Sequence, residues 1–335
     1  MRTARWRERM SQSSSSRIDC SDRFLLVLQT EEVSFKMRLL SFEHFQSEIR
    51  VMASIHVEKP KSVSIVLSTY NAPKWLEKSL WGFLTQIKKP DEIVIADDGS
   101  DDRTAAIINQ IQSATKIKIH HVWHEDDGFQ KCAILNRAIE EASGDYLIFS
   151  DGDCIPRNDF ILEHYRHATK SCYLSGGYNK LPLPLSRQIT TSHIRSGIIF
   201  QPAWLRANGL PINRQLLRLI TKGRIADLCN RMTTTNPTWN GHNASGWKTD
   251  LLRTNGFDER MRYGGEDCEL GDRLVNSGIR PIQIRFSALC LHLEHARGYV
   301  NESDKKRNLE IRKWTQRNGI RLTQHGIEQN SRKAA

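Results

Sequence analysis

The 335-residue sequence has no apolar run of about 18 residues, and its longest apolar patches, such as Phe24-Leu25-Leu26-Val27-Leu28, are far too short to span a bilayer. A soluble or peripheral protein is expected. There is no CxxC pair: the cysteines stand scattered at 20, 132, 154, 172, 229, 268 and 290, which excludes a disulfide framework and fits a reducing compartment. There is no internal repeat. Acids are nearly missing from residues 185–231, where Asp227 faces eight Lys and Arg, and residues 301–335 are also basic, whereas 52–184 is net acidic. The overall charge of +11 is thus localised, which suits contact with an anionic surface and argues against a uniform nucleic-acid footprint.

Residues 1–59 form an N-terminal extension, Arg-rich at 2–9 and Ser-rich at 12–16, with no apolar core followed by a small-residue cleavage site. The extension reads as poorly ordered, or as upstream of a true start at Met52 or Met37. From Val63 the pattern alternates between strand and helix. Strands are expected at 63–67, 92–96, 117–123 and 146–149, with helices at 74–87, 103–112, 131–142 and 159–169. This order predicts an α/β fold with a mostly parallel central sheet, helices on both faces and right-handed crossovers. A Pro/Gly-punctuated stretch follows to about Leu185. Further helices are expected at 246–253 and 266–276, and a strand at 282–286. The expected division is 60–170 for a nucleotide-binding half, 171–300 for an acceptor and catalytic-base half, and 301–335 for a basic tail.

In such sheets ligands lie beyond the carboxyl ends of the strands, where Ser68-Thr69-Tyr70-Asn71, Asp97-Asp98-Gly99-Ser100 and Asp151-Gly152-Asp153 fall. Each cluster alone reads as a polar turn. Together they supply oxygen ligands for Mg²⁺ or Mn²⁺ bridging a diphosphate, and a carboxylate, Asp98, able to accept from a uracil N–H. An EF-hand is excluded because Pro156 and Leu162 stand where Gly and Glu are required. Gly264-Gly265 followed by Glu266-Asp267 at a helix start offers close backbone approach and two carboxylates, with Asp267 the candidate base and Glu266 the acceptor-positioning group. His292 or His295 can complete the metal ligands, His292 being favoured as nearer a strand end. Zinc is disfavoured because no second cysteine joins Cys290. His120, His121 and His124 read as surface or packing residues. Arg214, Arg218 and Lys222, at i, i+4 and i+8, predict one cationic helical face, either solvated or touching anionic lipid.

With these motifs in place, the chain resembles the GT-A glycosyltransferases of family 2 over about residues 61–300, with a galactosyltransferase-type carboxyl half. The likeness is carried by Ser64 to Asn71, Asp97 to Ser100, Ala138 to Asp153, Gly241-His242-Asn243-Ala244-Ser245-Gly246-Trp247, Asn255 to Glu259, and Gly264 to Asp267. It implies that Ser68, Tyr70 and Asp98 contact the uridine, Asp151 the ribose or metal, Asp153 the metal, and Lys131 or Arg137 the diphosphate. By the same likeness Asp267 is the base, and Asn243, Ser245, Trp247 and Gly265 line the acceptor side. Glu125 to Asn136 is similar to bacterial members that build lipopolysaccharide or capsule, which implies a cytoplasmic enzyme at the inner face of a membrane.

The expected activity is therefore inverting transfer of a hexose or N-acetylhexosamine from a UDP-sugar to a saccharide or lipid-linked saccharide, with no nucleic-acid partner. One alternative is a nucleotidyltransferase, whose Gly-rich basic loop is replaced here by Tyr70-Asn71-Ala72-Pro73. The other is a non-catalytic carbohydrate or nucleic-acid binder.

Overall fold

Strands β1 (Val63–Thr69), β2 (Glu92–Asp97) and β4 (Tyr146–Asp151) are almost continuously apolar, the pattern of parallel strands covered on both faces. Val63, Ile65 and Leu67 of β1 pack into one core with Ile93, Ile95, Tyr146 and Ile148, while Val66 joins Val94, Ala96, Leu147 and Phe149 in the opposite core. Helices α1 (Pro73–Leu84), α2 (Asp102–Ser113), α3 (Lys131–Glu141) and α4 (Phe160–His167) supply the covering side chains, with β3 (Lys118–Trp123) between α2 and α3. These elements follow the expected order, with ends shifted by one to three residues.

The computed structural model describes residues 58–211, 214–295 and 300–328, all within one compact unit spanning Glu58–Ala335. The proposed starts at Met37 and Met52 lie outside these residues, as does the side chain of Arg214. Among the described residues the main sheet has the order β3-β2-β1-β4-β8-β6-β9. The first four strands are parallel, β8 (Ala244–Trp247) is antiparallel to both β4 and β6 (Cys172–Ser175), and β9 (Arg280–Gln283) is parallel to β6. A second sheet, β5-β10-β7, joins β5 (Cys154–Pro156), β10 (Leu289–His292) and β7 (Gly177–Lys180).

Several expectations after Pro156 are corrected. The stretch to Leu185 contains β6 and β7. Gly246 and Trp247 belong to β8, and only Lys248–Arg253 is helical (α10). The expected strand at 282–286 is displaced to 280–283, after which a turn closed by Ser287 N–H on the Ile284 carbonyl (2.9 Å) leads into β10. His292 therefore lies within a strand. The region 183–232 is a run of short helices: α5 (Leu183–Gln188), α6 (Thr191–Ser196), α7 (Pro202–Ala207), α8 (Leu217–Ile220) and α9 (Gly223–Met232).

The cationic face through Arg214, Arg218 and Lys222 does not form. The helix is capped at Thr221, whose hydroxyl donates to the Arg218 and Phe286 carbonyls (both 3.2 Å), and Lys222 is extended backbone ahead of the next helix. Helix α11 spans Glu266–Asn276 as expected. Much of the basic tail is a helix, α12 (Glu302–Arg317). Arg273 and Glu269 of α11 form a fully buried ion pair, and Glu269 also accepts from Thr315 of α12 (2.8 Å).

Candidate active site

Parallel pairing sets Ser68 opposite Asp151 and Thr69 opposite Asp97, so the polar clusters leave the sheet at one edge. Ser68 Oγ donates to Asp151 Oδ1 (2.6 Å), and Lys131 Nζ, from the first turn of α3, donates to the same oxygen (2.8 Å). Burial would raise the Asp151 carboxyl, but Lys131, His242 and Ser68 hold it well below the usual carboxylate range. Burial likewise opposes the Lys131 charge, yet Asp151, Glu266 and Asp267 keep its ammonium more basic than an ordinary lysine.

The start of α3 is fixed by Asp98, which accepts from Gln130 N–H at Oδ2 (3.1 Å) and lies 2.8 Å from His124 Nε2 at Oδ1. Asp97 pairs with His121 in the same way (2.8 Å). His121 and His124 thus orient the two carboxylates, and their reading as surface or packing residues is corrected. The missed signal was one histidine on β3 and one just past its end, beside the Asp-Asp pair that closes β2. Tyr70, exposed at 45%, donates its hydroxyl to Asp126 (2.8 Å), which pushes the phenol's pKa up. Gly99, at φ +87°, makes that approach possible, since a Cβ there would strike the Asp126 backbone at 2.6 Å.

Asp267 reaches the same place from the other half. Its Oδ2 accepts from Gly241 N–H (3.0 Å) and its Oδ1 from Cys268 N–H (2.7 Å). A Cβ on Gly241 would sit 3.6 Å from Lys131 Nζ and 4.0 Å from Asp267 Oδ2, so the lysine and the acid flank one glycine. Gly264 and Gly265 both lie at positive φ (109° and 89°), which carries the chain into α11 with Glu266 turned back to accept from Gly264 N–H (2.8 Å). Glu266 is buried beside Asp267, and both effects push its pKa up to about 7. The Phe129 and Tyr263 rings, 6.1 Å apart, join the two approaching loops.

Asp153 supplies the candidate metal seat. Its Oδ2 is 2.7 Å from His295 Nε2 and 3.7 Å from His292 Nε2. Ligand atoms of Asp153, Cys154 and His292 lie within 4.8 Å of one another. The Cys154 thiol is buried among apolar side chains, which pushes its pKa well up and keeps it protonated. The available donors are thus carboxylate oxygen and imidazole nitrogen, a set that fits a divalent ion such as Mn²⁺ with positions left for a ligand. His242, not singled out in the sequence, packs beside this group with its ring 6.4 Å from that of His292. Burial depresses its pKa, against the opposing pull of Asp151, Asp267 and Asp153.

Other expected site residues are elsewhere. Asn243 is fully buried, donating to the Gly177 and Ala288 carbonyls (2.7 and 3.1 Å) and accepting from His164. Ser245 is buried between Tyr146 and His164 (2.8 and 2.7 Å), and the Trp247 indole donates to the Thr169 carbonyl (2.9 Å). Ser245 and Trp247 lie on β8 inside the main sheet and Asn243 just before it, tied to the second sheet at Gly177, so all three side chains are buried in structural contacts and do not face an acceptor. Arg137 stands six residues beyond Lys131 on α3, about 9 Å along the axis, where its charge acts on Glu140.

The family model for glycosyl transferase family 2 matches residues 64–181. The chain is 29% identical over 264 residues to a chondroitin synthase of Escherichia coli, covering 72% of this chain and 36% of that protein. It is 30% identical over 140 residues to a poly-beta-1,6-N-acetyl-D-glucosamine synthase of Staphylococcus aureus (strain COL), covering 40% and 33%. The chain thus spans about a third of the length of these relatives. Among solved structures, a mannosyltransferase from Pyrobaculum calidifontis in complex with GDP-Man and Mn²⁺ is similar with a TM-score of 0.48 and 18% identity, over 72% of this chain and 59% of that one. The strands that deliver Ser68, Asp98, Asp151 and Asp153 to one sheet edge fall within residues 64–181, the part of the chain that matches glycosyl transferase family 2.

Proposed function

We propose that the protein transfers a hexose or N-acetylhexosamine from a UDP-sugar to a saccharide hydroxyl, with inversion, in the synthesis of a cell-surface polysaccharide or lipopolysaccharide. The observation that carries this reading is the meeting of Asp151, Asp153 and Lys131 with Glu266 and Asp267 around Gly241 and His242. Tyr70, Asp98 and their neighbours lie at the nucleotide end, and Gly265 leaves open space before α11 for an acceptor. Asp267, oriented by two backbone N–H groups, takes the acceptor proton. Glu266 retains its own proton up to about pH 7 and donates a hydrogen bond to the acceptor, which spares the site a second negative charge.

Asp153 and Asp151, with His292 or His295, would hold Mn²⁺ or Mg²⁺, which when bound offsets the charge of the departing diphosphate. Lys131 adds a fixed positive charge beside Asp151, for the donor diphosphate. A cytoplasmic location at the inner face of a membrane, with a lipid-linked acceptor, accords with the basic stretch at 185–231; no helix among the described residues is long and apolar enough to cross a membrane.

A donor screen reading UDP release with Mn²⁺ tests this reading. Release of UDP is expected, with Asp267→Asn lowering turnover at least 100-fold while UDP affinity changes less than threefold. Pyrophosphate release would replace the reading with nucleotidyl transfer, and substantial transfer by the variant would remove Asp267 as the base.

A further inference from the structure

Arg157, Arg260, Arg273 and Arg312 each sit on a carboxylate, as a guanidinium withdrawn from water requires. Two other partly buried arginines do not. Arg218 of α8 donates to the Tyr178 carbonyl (2.9 Å) and stands 6.0 Å from the Phe286 ring. Arg285, next to Phe286, donates to the Thr235 hydroxyl. Neither has an acidic partner among the described residues. Burial pushes the Arg218 pKa down to about 10, with the Arg285 charge adding to the effect, and Tyr178 acts on both groups. Two like charges held together in a partly dry place, with forks unoccupied by carboxylate, leave room for an anion.

Their position selects which anion. Tyr178 lies on edge strand β7, is 40% exposed, and places its ring 4.5 Å from the His242 ring and 6.1 Å from that of His292, beside the metal seat. The nucleotide-side residues Tyr70 and Asp98 follow β1 and β2, whereas Arg285 follows β9 at the opposite edge of the main sheet. The donor diphosphate already has Lys131 and the acids at the β4 terminus. We propose that Arg218, Arg285 and the Tyr178 ring form an acceptor subsite that stacks on a sugar ring and binds an oxyanion, a carboxylate or a phosphate, carried by the acceptor next to the reacting residue. This subsite rests on the transferase reading above.

The test uses the full chain saturated with UDP and Mn²⁺ and three probes: a glucuronate-terminated disaccharide, its neutral glucose-terminated counterpart, and a glycosyl phosphate. At least one anionic probe should bind tenfold or more tightly than the neutral one. Preference for the uronate identifies an acidic polysaccharide acceptor, and preference for the phosphate a phosphate-linked one. Arg285→Gln and Arg218→Gln should each abolish that preference while UDP affinity stays within twofold; Arg285→Lys, which leaves the fold's contacts least disturbed, should retain part of it. Equal binding of all probes, or loss of UDP affinity in step with probe affinity, overturns the subsite. UDP binding by the unaltered protein is read separately, and its absence would overturn the transferase reading and the subsite with it.

Discussion

Glu266 and Asp267 are adjacent in sequence but differ in surroundings: Asp267 accepts two backbone N–H groups, while Glu266 is buried against its neighbour's charge. With its folded pKa near 7 against an ordinary 4.5, protonated Glu266 favours the folded state below about pH 4.5, and this contribution is lost as pH rises through 7. The loss is on the order of 3 kcal/mol by the conversion of pKa shift to free energy. Glu266→Gln cannot ionise. It should raise the melting temperature relative to the parent at pH 8.5 and have little effect at pH 4.5; an equal shift at both pH values in thermal denaturation would show that Glu266 is not held protonated. These two acids were legible because a Gly-Gly turn before a helix start leaves a strong local signature. His121, His124 and His242 were not, since their roles depend on a neighbouring strand end some 25 residues away and, for His242, on acids 25 to 91 residues away in sequence.

At the scale of elements, the alternation from Val63 to Asp151 was readable because β1, β2 and β4 are almost continuously apolar and β1, β2 and β3 are each followed by a helix with an apolar face. Strands β5, β7, β8 and β10 are three or four residues long and show no period, so the motif around Asn243 and Ser245 read as a loop facing an acceptor when it is interior strand and its lead-in. Helix α9 departs from the usual pattern in another way: it buries Ala226 and Asn230 and turns Ile225, Leu228 and Met232 outward at 66, 57 and 73% exposure. These residues fall at i, i+3 and i+7, on one face, with exposed Arg224 and Arg231 alongside. An apolar stripe edged by cations suits the surface of an anionic bilayer. The protein should co-sediment with phosphatidylglycerol-containing vesicles at least tenfold better than with phosphatidylcholine vesicles, and Ile225→Asp with Leu228→Asp should remove the binding. Unchanged sedimentation of that double variant would dismiss α9 as the contact.

For the whole molecule, the seam between the two sheets is a polar chain buried in an apolar interior. Tyr146 meets Ser245, Ser245 meets His164, and His164 meets Asn243, whose amide then closes on two backbone carbonyls. Burial depresses the His164 pKa to about 3, so the ring is neutral when folded and must gain a proton to match the unfolded chain in acid. Its contribution to stability is complete above about pH 6.5 and falls by about 1.4 kcal/mol per pH unit below it. Urea titrations between pH 7 and 5 should show this slope, and His164→Gln should reduce it by about one proton. A variant as acid-sensitive as the parent would place the proton uptake elsewhere.

Helix α12 gives the molecule a temporal order. Asn308 donates to the Arg262 and Gly264 carbonyls (2.8 and 3.0 Å), and Thr315 reaches the buried pair beneath the helix that begins with Glu266. During synthesis, the turn presenting those acids lacks its anchors until some forty further residues have left the ribosome. A nascent chain halted near Asn301 would lack every one of these contacts, so the turn before Glu266 and the Glu269–Arg273 pair would close only with the last part of the chain.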